Sequence, residues 1–162
     1  DEPDVLEMLS ELLSQCIVDS ATSFESAKQF LSEKTYDAAI LDIMGVNGYE
    51  LLELCKQKDI PAVMLTAHAL SPAHLIASVT KGAYAYIPKD EMINIDSYLS
   101  EVIDNKVERA PKETNWWKKL APVFDKKFGP DWKTKNREFL KEFNFANSRD
   151  ELEDIVYRVG AL

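Results

Sequence analysis

Three polar residues close short apolar runs in this chain. Asp42 follows Asp37-Ala-Ala-Ile-Leu41, Thr66 follows Ala62-Val-Met-Leu65, and Lys89 lies just beyond Ala83-Tyr-Ala-Tyr-Ile87. A carboxylate, a hydroxyl and an ammonium at the ends of successive runs have complementary chemistry. A carboxylate can act as a nucleophile and form an aspartyl-phosphate. A hydroxyl can donate to phosphoryl oxygens, and a lysine can neutralise their charge as a compact cation. Phosphoryl transfer asks for little more, because it depends mainly on positioning and electrostatics. Asp1 and Glu2 stand just before the first helical stretch, where a strand-to-helix loop places them on the same rim. Clustered carboxylates repel one another, and Mg2+ relieves this because it takes a few carboxylates and keeps several waters.

The elements that would position these groups alternate in period. Val5 to Leu13 has apolar residues at helical spacing, with Pro3 suited to the first turn. Cys16-Ile17-Val18 reads as a short strand. Thr22-Ser-Phe-Glu25 reads as a capping box that opens a helix to about Ser32. The run ending at Asp42 has the style of a strand covered on both faces. Gly45-Val-Asn-Gly48 forms a loop, and a helix follows from Tyr49 to about Lys58. The unit repeats with the strand ending at Thr66, a helix from Ser71-Pro72 to about Lys81, and Gly82 as its C-cap. The Ala83–Ile87 strand and a helix from about Ile95 to Glu108 complete the pattern. Such alternation calls for a parallel sheet covered by helices, and ligands of such sheets bind outside the carboxyl ends of the strands.

Beyond a linker at Arg109–Thr114 the period is helical only. Helices are expected at Trp116 to about Phe128, Thr134 to about Phe143, and from the Ser148-Arg-Asp-Glu151 capping box to about Val159. Gly129-Pro130 separates the first two. Residues 1–110 and 111–162 thus read as two domains. The aromatic residues of the second, Trp116, Trp117, Trp132, Phe124, Phe128, Phe139 and Phe143, read as core. The net charge of −9 is concentrated in the first domain, which argues against a nucleic-acid surface there. The 148–159 helix carries Asp150, Glu151, Glu153 and Asp154, whereas a recognition helix facing phosphates should be basic. No apolar run is long enough to span a bilayer. Cys16 and Cys55 lie in apolar stretches, which points to reduced, buried thiols in a cytoplasmic protein.

Four stretches in order, DEPDVLEMLSELL, AAILDIMGVNGYELLE, PAVMLTAHA and GAYAYIPKDEM, carry a resemblance over about residues 1–108. The chain resembles the receiver domains of two-component response regulators. The resemblance implies a flavodoxin-like α/β fold, a doubly wound parallel sheet, here with a small all-α C-terminal extension. It implies a phospho-acceptor signalling domain rather than a turnover enzyme, in a bacterial, cytoplasmic setting. Asp42 matches the acceptor, Thr66 the switch hydroxyl, and Lys89 the basic partner. Tyr86 matches the aromatic that turns inward on activation. Ala67 is the small residue that leaves room for the phosphoryl group. Asp1 matches the second acid of the Mg2+-binding pair, and Met44 would offer its backbone carbonyl to the metal. The implied partners are a histidine kinase, an unknown output protein and, as a further option, a second copy in a homodimer.

The chain also departs from the family pattern. It begins inside the first strand-to-helix loop, so the family's first strand and the first acid of the pair are missing, and both are expected upstream in the natural protein. The loop after Asp42 is about two residues shorter than the commoner form and lacks its proline. Lys89 is followed by Asp90 rather than proline. A receiver-like interaction module that does not turn on phosphate is therefore an alternative. A DNA-binding regulator is a weaker one, because of the acidic last helix. An aspartyl-phosphate phosphatase would need a second acid where Met44 stands. His68 and His74 read as exposed.

Overall fold

The computed structural model describes residues 2–44, 47–66, 71–108 and 115–147. The chain divides into two compact units, Asp1–Glu108 and Arg109–Leu162. The linker at 109–114 and the expected helix at 148–159 lie outside the described residues.

The first unit is built on three parallel strands, β1 (Ala39–Asp42), β2 (Ala62–Thr66) and β3 (Ala85–Pro88), in the order β1-β2-β3. Asp42 pairs with Leu65, and Thr66 pairs with Pro88. Every residue of β2 and β3 is buried, which is why both are apolar without alternation. The strands are joined by helices, as parallel pairing requires. α1 (Pro3–Leu12) and α2 (Phe24–Glu33) precede the sheet, and α3 (Gly48–Gln57) links β1 to β2. α4 (Pro72–Thr80) links β2 to β3, and α5 (Ile95–Glu108) closes the unit. A 3-10 helix over Lys89–Asn94, which helical periodicity does not reveal, fills the gap between β3 and α5. The core includes Leu52, Val63, Met64, Leu65, Leu75 and Val102.

Several local expectations are corrected. Cys16-Ile17-Val18 is not a strand. A strand needs a partner for its backbone groups, and no strand lies beside this segment among the described residues. Ile17 is fully exposed, at 100%, so burial does not favour extension either. Cys16 is correspondingly exposed, while Cys55 is buried as expected. α2 starts one residue later than the capping box placed at Thr22. Its N-cap is Ser23, whose hydroxyl accepts from Ser26 N–H at 3.1 Å, while Ser26 Oγ accepts from Ser23 N–H at 3.2 Å. Serine at N3 thus does the work expected of Glu25.

An apolar cleft of about 720 Å3 runs along β1. It is walled by Leu6 and Leu9 of α1, its C-cap Leu13, Ile17, Phe30 and Ile40. β1 is the sheet edge on this side among the described residues.

The second unit contains α6 (Asn115–Phe128), α7 (Trp132–Lys135) and α8 (Arg137–Asn147). The helix expected from Thr134 is therefore broken at Asn136, whose side chain donates to Trp132 O at 2.8 Å. Trp116, Phe124 and Trp132 are buried. Phe128 stacks on Phe124 at 5.5 Å and meets Trp132 edge-on at 5.0 Å. These aromatics form the core expected of them.

Candidate functional site

The parallel register brings the ends of the three strands to one rim, and the polar residues gather there. Asp42 is the last residue of β1, and its side chain is only 14% exposed. Its Oδ2 accepts from Lys89 Nζ at 2.7 Å. Its Oδ1 accepts from the Met44 backbone N–H at 3.1 Å. The first contact brings together residues 47 positions apart. Lys89 follows β3 directly and is itself 11% exposed. Burial alone would lower the Lys89 ammonium. Its hydrogen bonds to Asp42 and Glu2 outweigh that effect and hold it above its ordinary value.

Glu2 is the second partner of that lysine. It accepts from Lys89 Nζ at 3.0 Å, and its side chain is 58% exposed. One ammonium is thus shared by two carboxylates. The sequence placed Glu2 on this rim among the clustered carboxylates, but not as a partner of Lys89.

Thr66 ends β2 and is completely buried. Its Oγ1 makes no hydrogen bond of acceptable geometry among the described residues. The Tyr86 phenol lies near enough for the two hydroxyls to interact. A buried hydroxyl without a partner is costly, and the cost is recovered if a ligand atom reaches it. Tyr86 is wholly inside. Burial pushes its phenol up to about 12.

Two residues bring the chain into α3; Gly45 and Val46 before them lie outside the described residues. Asn47 adopts a left-handed conformation, φ 53°, which a short polar side chain tolerates. Gly48 opens α3 so close to β1 that a Cβ there would strike the Asp42 carbonyl. The glycine therefore lets the helix sit against Asp42.

Tyr49 and His74 form a contact that the sequence did not reveal. Tyr49 Oη lies 3.2 Å from His74 Nδ1 and 3.4 Å from Ser78 Oγ. His74 is thus half-buried and joined to α3, and its reading as an exposed surface residue is corrected. The signal was its position one helical turn before Ser78 on α4, a face that turns inward.

Asp1, Ala67 and His68 lie outside the described residues. Met44 places its N–H on Asp42, and the residue is 69% exposed. Among the described residues no group of three or more His, Cys, Asp or Glu is placed to hold a metal. The hard oxygens of the Asp42 carboxylate fit Mg2+, which needs few protein ligands. Among the described residues no helix is long and apolar enough to cross a membrane.

Comparison with known proteins agrees with this geometry. Residues 1–98 match the family described as the response regulator receiver domain. The two-component response regulator ARR12 of Arabidopsis thaliana is 32% identical over 106 residues, covering 59% of this chain and 18% of that protein. The crystal structure of NtrX from Brucella abortus in complex with ADP superposes with a TM-score of 0.58 at 21% identity. That match covers 67% of this chain and 26% of the other. The chain therefore spans a minor part of the length of both relatives. The structural likeness establishes the flavodoxin-like fold.

Proposed function

This chain belongs to the response regulator receiver domain family, and from that premise we propose that Asp42 accepts a phosphoryl group from the phosphohistidine of a histidine kinase. The single observation that carries this reading is the 2.7 Å contact of Lys89 with Asp42. A carboxylate oxygen of Asp42 attacks phosphorus. The new O–P bond forms as the N–P bond breaks, and the imidazole leaves with the electron pair. Lys89 passes from the carboxylate to the phosphoryl oxygens, and the Thr66 hydroxyl donates to another of them. The Met44 N–H steadies the carboxylate during attack. Mg2+, when bound by Asp42, Asp1 and the Met44 carbonyl, supplies positive charge that lets two anions meet. The Ala67 position would leave the phosphoryl group room.

The same residues couple the site to the fold. Thr66 leaves its place beside Tyr86 as it moves to the phosphoryl group. The Tyr86 ring then repacks between β3 and α4, and the adjoining surface changes for a partner protein. This is a two-state population shift biased by one local charge. The recipient is an output protein rather than nucleic acid, with self-association as a second route. The setting proposed is the cytoplasm.

Incubation with acetyl phosphate and Mg2+, followed by intact-mass measurement, tests the reading. One phosphate should be gained by the protein and none by Asp42→Asn. An adduct that persists in the variant would overturn it.

A further inference from the structure

The shared ammonium carries one step more, and the step rests on the phospho-acceptor reading. Lys89 has two carboxylate partners of unequal character. Asp42 is largely buried, at 14% exposure, while Glu2 is 58% exposed. Glu2 sits at the N-cap position of α1, and its backbone carbonyl accepts from Val5 N–H and Leu6 N–H, both at 3.1 Å. Its side chain makes no capping hydrogen bond. The carboxylate reaches across to the residue that follows β3 instead.

We propose that Glu2 is a positioning residue that acts through Lys89: it restrains the ammonium on the α1 side of Asp42 and competes for it with the incoming anionic phosphoryl donor. Three features support this. The two ion pairs share one nitrogen, so a phosphoryl oxygen that takes Lys89 must draw it away from Glu2. The exposed carboxylate adds negative charge at the mouth of the site, where an anion has to enter. The backbone of Glu2 is fixed by the first turn of α1, so its side chain returns to the same place after each transfer. Glu2 therefore sets how readily Asp42 meets an anionic donor, while Asp42, Lys89 and Thr66 perform the transfer.

The test compares the full chain with Glu2→Gln, which keeps the size and removes the charge. Glu7→Gln is the control, because Glu7 is exposed on the same helix and its loss changes the net charge equally. The rate of phosphate incorporation is measured against acetyl phosphate concentration in Mg2+. In Glu2→Gln the half-saturating concentration should fall roughly two- to five-fold, as expected for one exposed ion pair, with the maximal rate nearly unchanged. Glu7→Gln should behave as the unmodified chain. A structural role for Glu2 would change the maximal rate or the folded fraction instead. A second measurement is independent of phosphate chemistry. Exchange of the Lys89 ammonium protons with water, followed by NMR, should quicken several-fold in Glu2→Gln and recover in Glu2→Asp. Unchanged half-saturation in a chain that does take phosphate, or unchanged ammonium exchange, overturns the proposal. A chain that takes no phosphate overturns the phospho-acceptor reading, and the exchange measurement still decides whether Glu2 restrains Lys89.

Discussion

Thr66 shows the conflict between stability and function most directly. Its hydroxyl is fully buried and unpartnered among the described residues. A polar group in that state costs about 1–3 kcal/mol. Thr66→Val keeps the shape and removes the hydroxyl. The variant should be more stable by about 1 kcal/mol in thermal unfolding. It should also incorporate phosphate roughly tenfold more slowly, as expected for one hydrogen bond to a charged group. A variant that is less stable, or equally fast, would show that Thr66 serves packing. Asp42 and Lys89 were legible as candidates because strand ends in parallel sheets face the ligand side. Glu2 as a partner of Lys89 was not, because which carboxylate reaches an ammonium depends on where α1 begins in space.

At the scale of elements, the junction of β1 and α3 is the most constrained. Gly48 leaves no room for a side chain above the Asp42 carbonyl. Gly48→Ala must push α3 away from β1, and should cost about 1–3 kcal/mol, as overpacking does. Phosphate incorporation should fall with it, since Asp42 moves. Urea unfolding and intact-mass kinetics on the same samples check both effects. α5 was read from periodicity over the bounds the structure shows, Ile95–Glu108. Cys16-Ile17-Val18 was read as a strand and is not one. The two cases differ in where the hydrogen bonds go. A helix satisfies its own backbone, whereas a strand exists only beside another.

The whole molecule carries two separate stability problems. In the first unit the apolar cleft along β1 leaves one sheet edge uncovered among the described residues. Fusing an extended, apolar five-residue segment ahead of Asp1 should let it pair with β1 and fill the cleft, raising Tm by about 5 °C or more. A Gly-Ser segment of equal length should not. In the second unit, Trp132 Nε1 donates to Asp125 at 2.9 Å, and Lys133 Nζ donates to it at 2.7 Å. Burial raises the Asp125 carboxyl, but these two bonds outweigh it and hold it below its ordinary value of 3.8. A depressed folded-state value stabilises above the unfolded pKa, and the contribution is lost as pH falls through the folded one. The second unit should therefore weaken from about pH 4 downward. All three tryptophans lie in that unit, so their fluorescence follows it alone. Asp125→Asn should remove this part of the acid dependence.

The sequence by itself determined the alternation of buried strands and helices, the parallel sheet, and the rim on which Asp42, Thr66 and Lys89 stand. Those follow from local period and from the general geometry of strand ends. Tertiary structure alone decided that Lys89 is shared by Asp42 and Glu2, that Thr66 has no partner among the described residues, and that Tyr49 binds His74. It also decided that residues 16–18 form no strand and that β1 borders an apolar cleft. These are distances between elements remote in sequence, and periodicity carries no information about them.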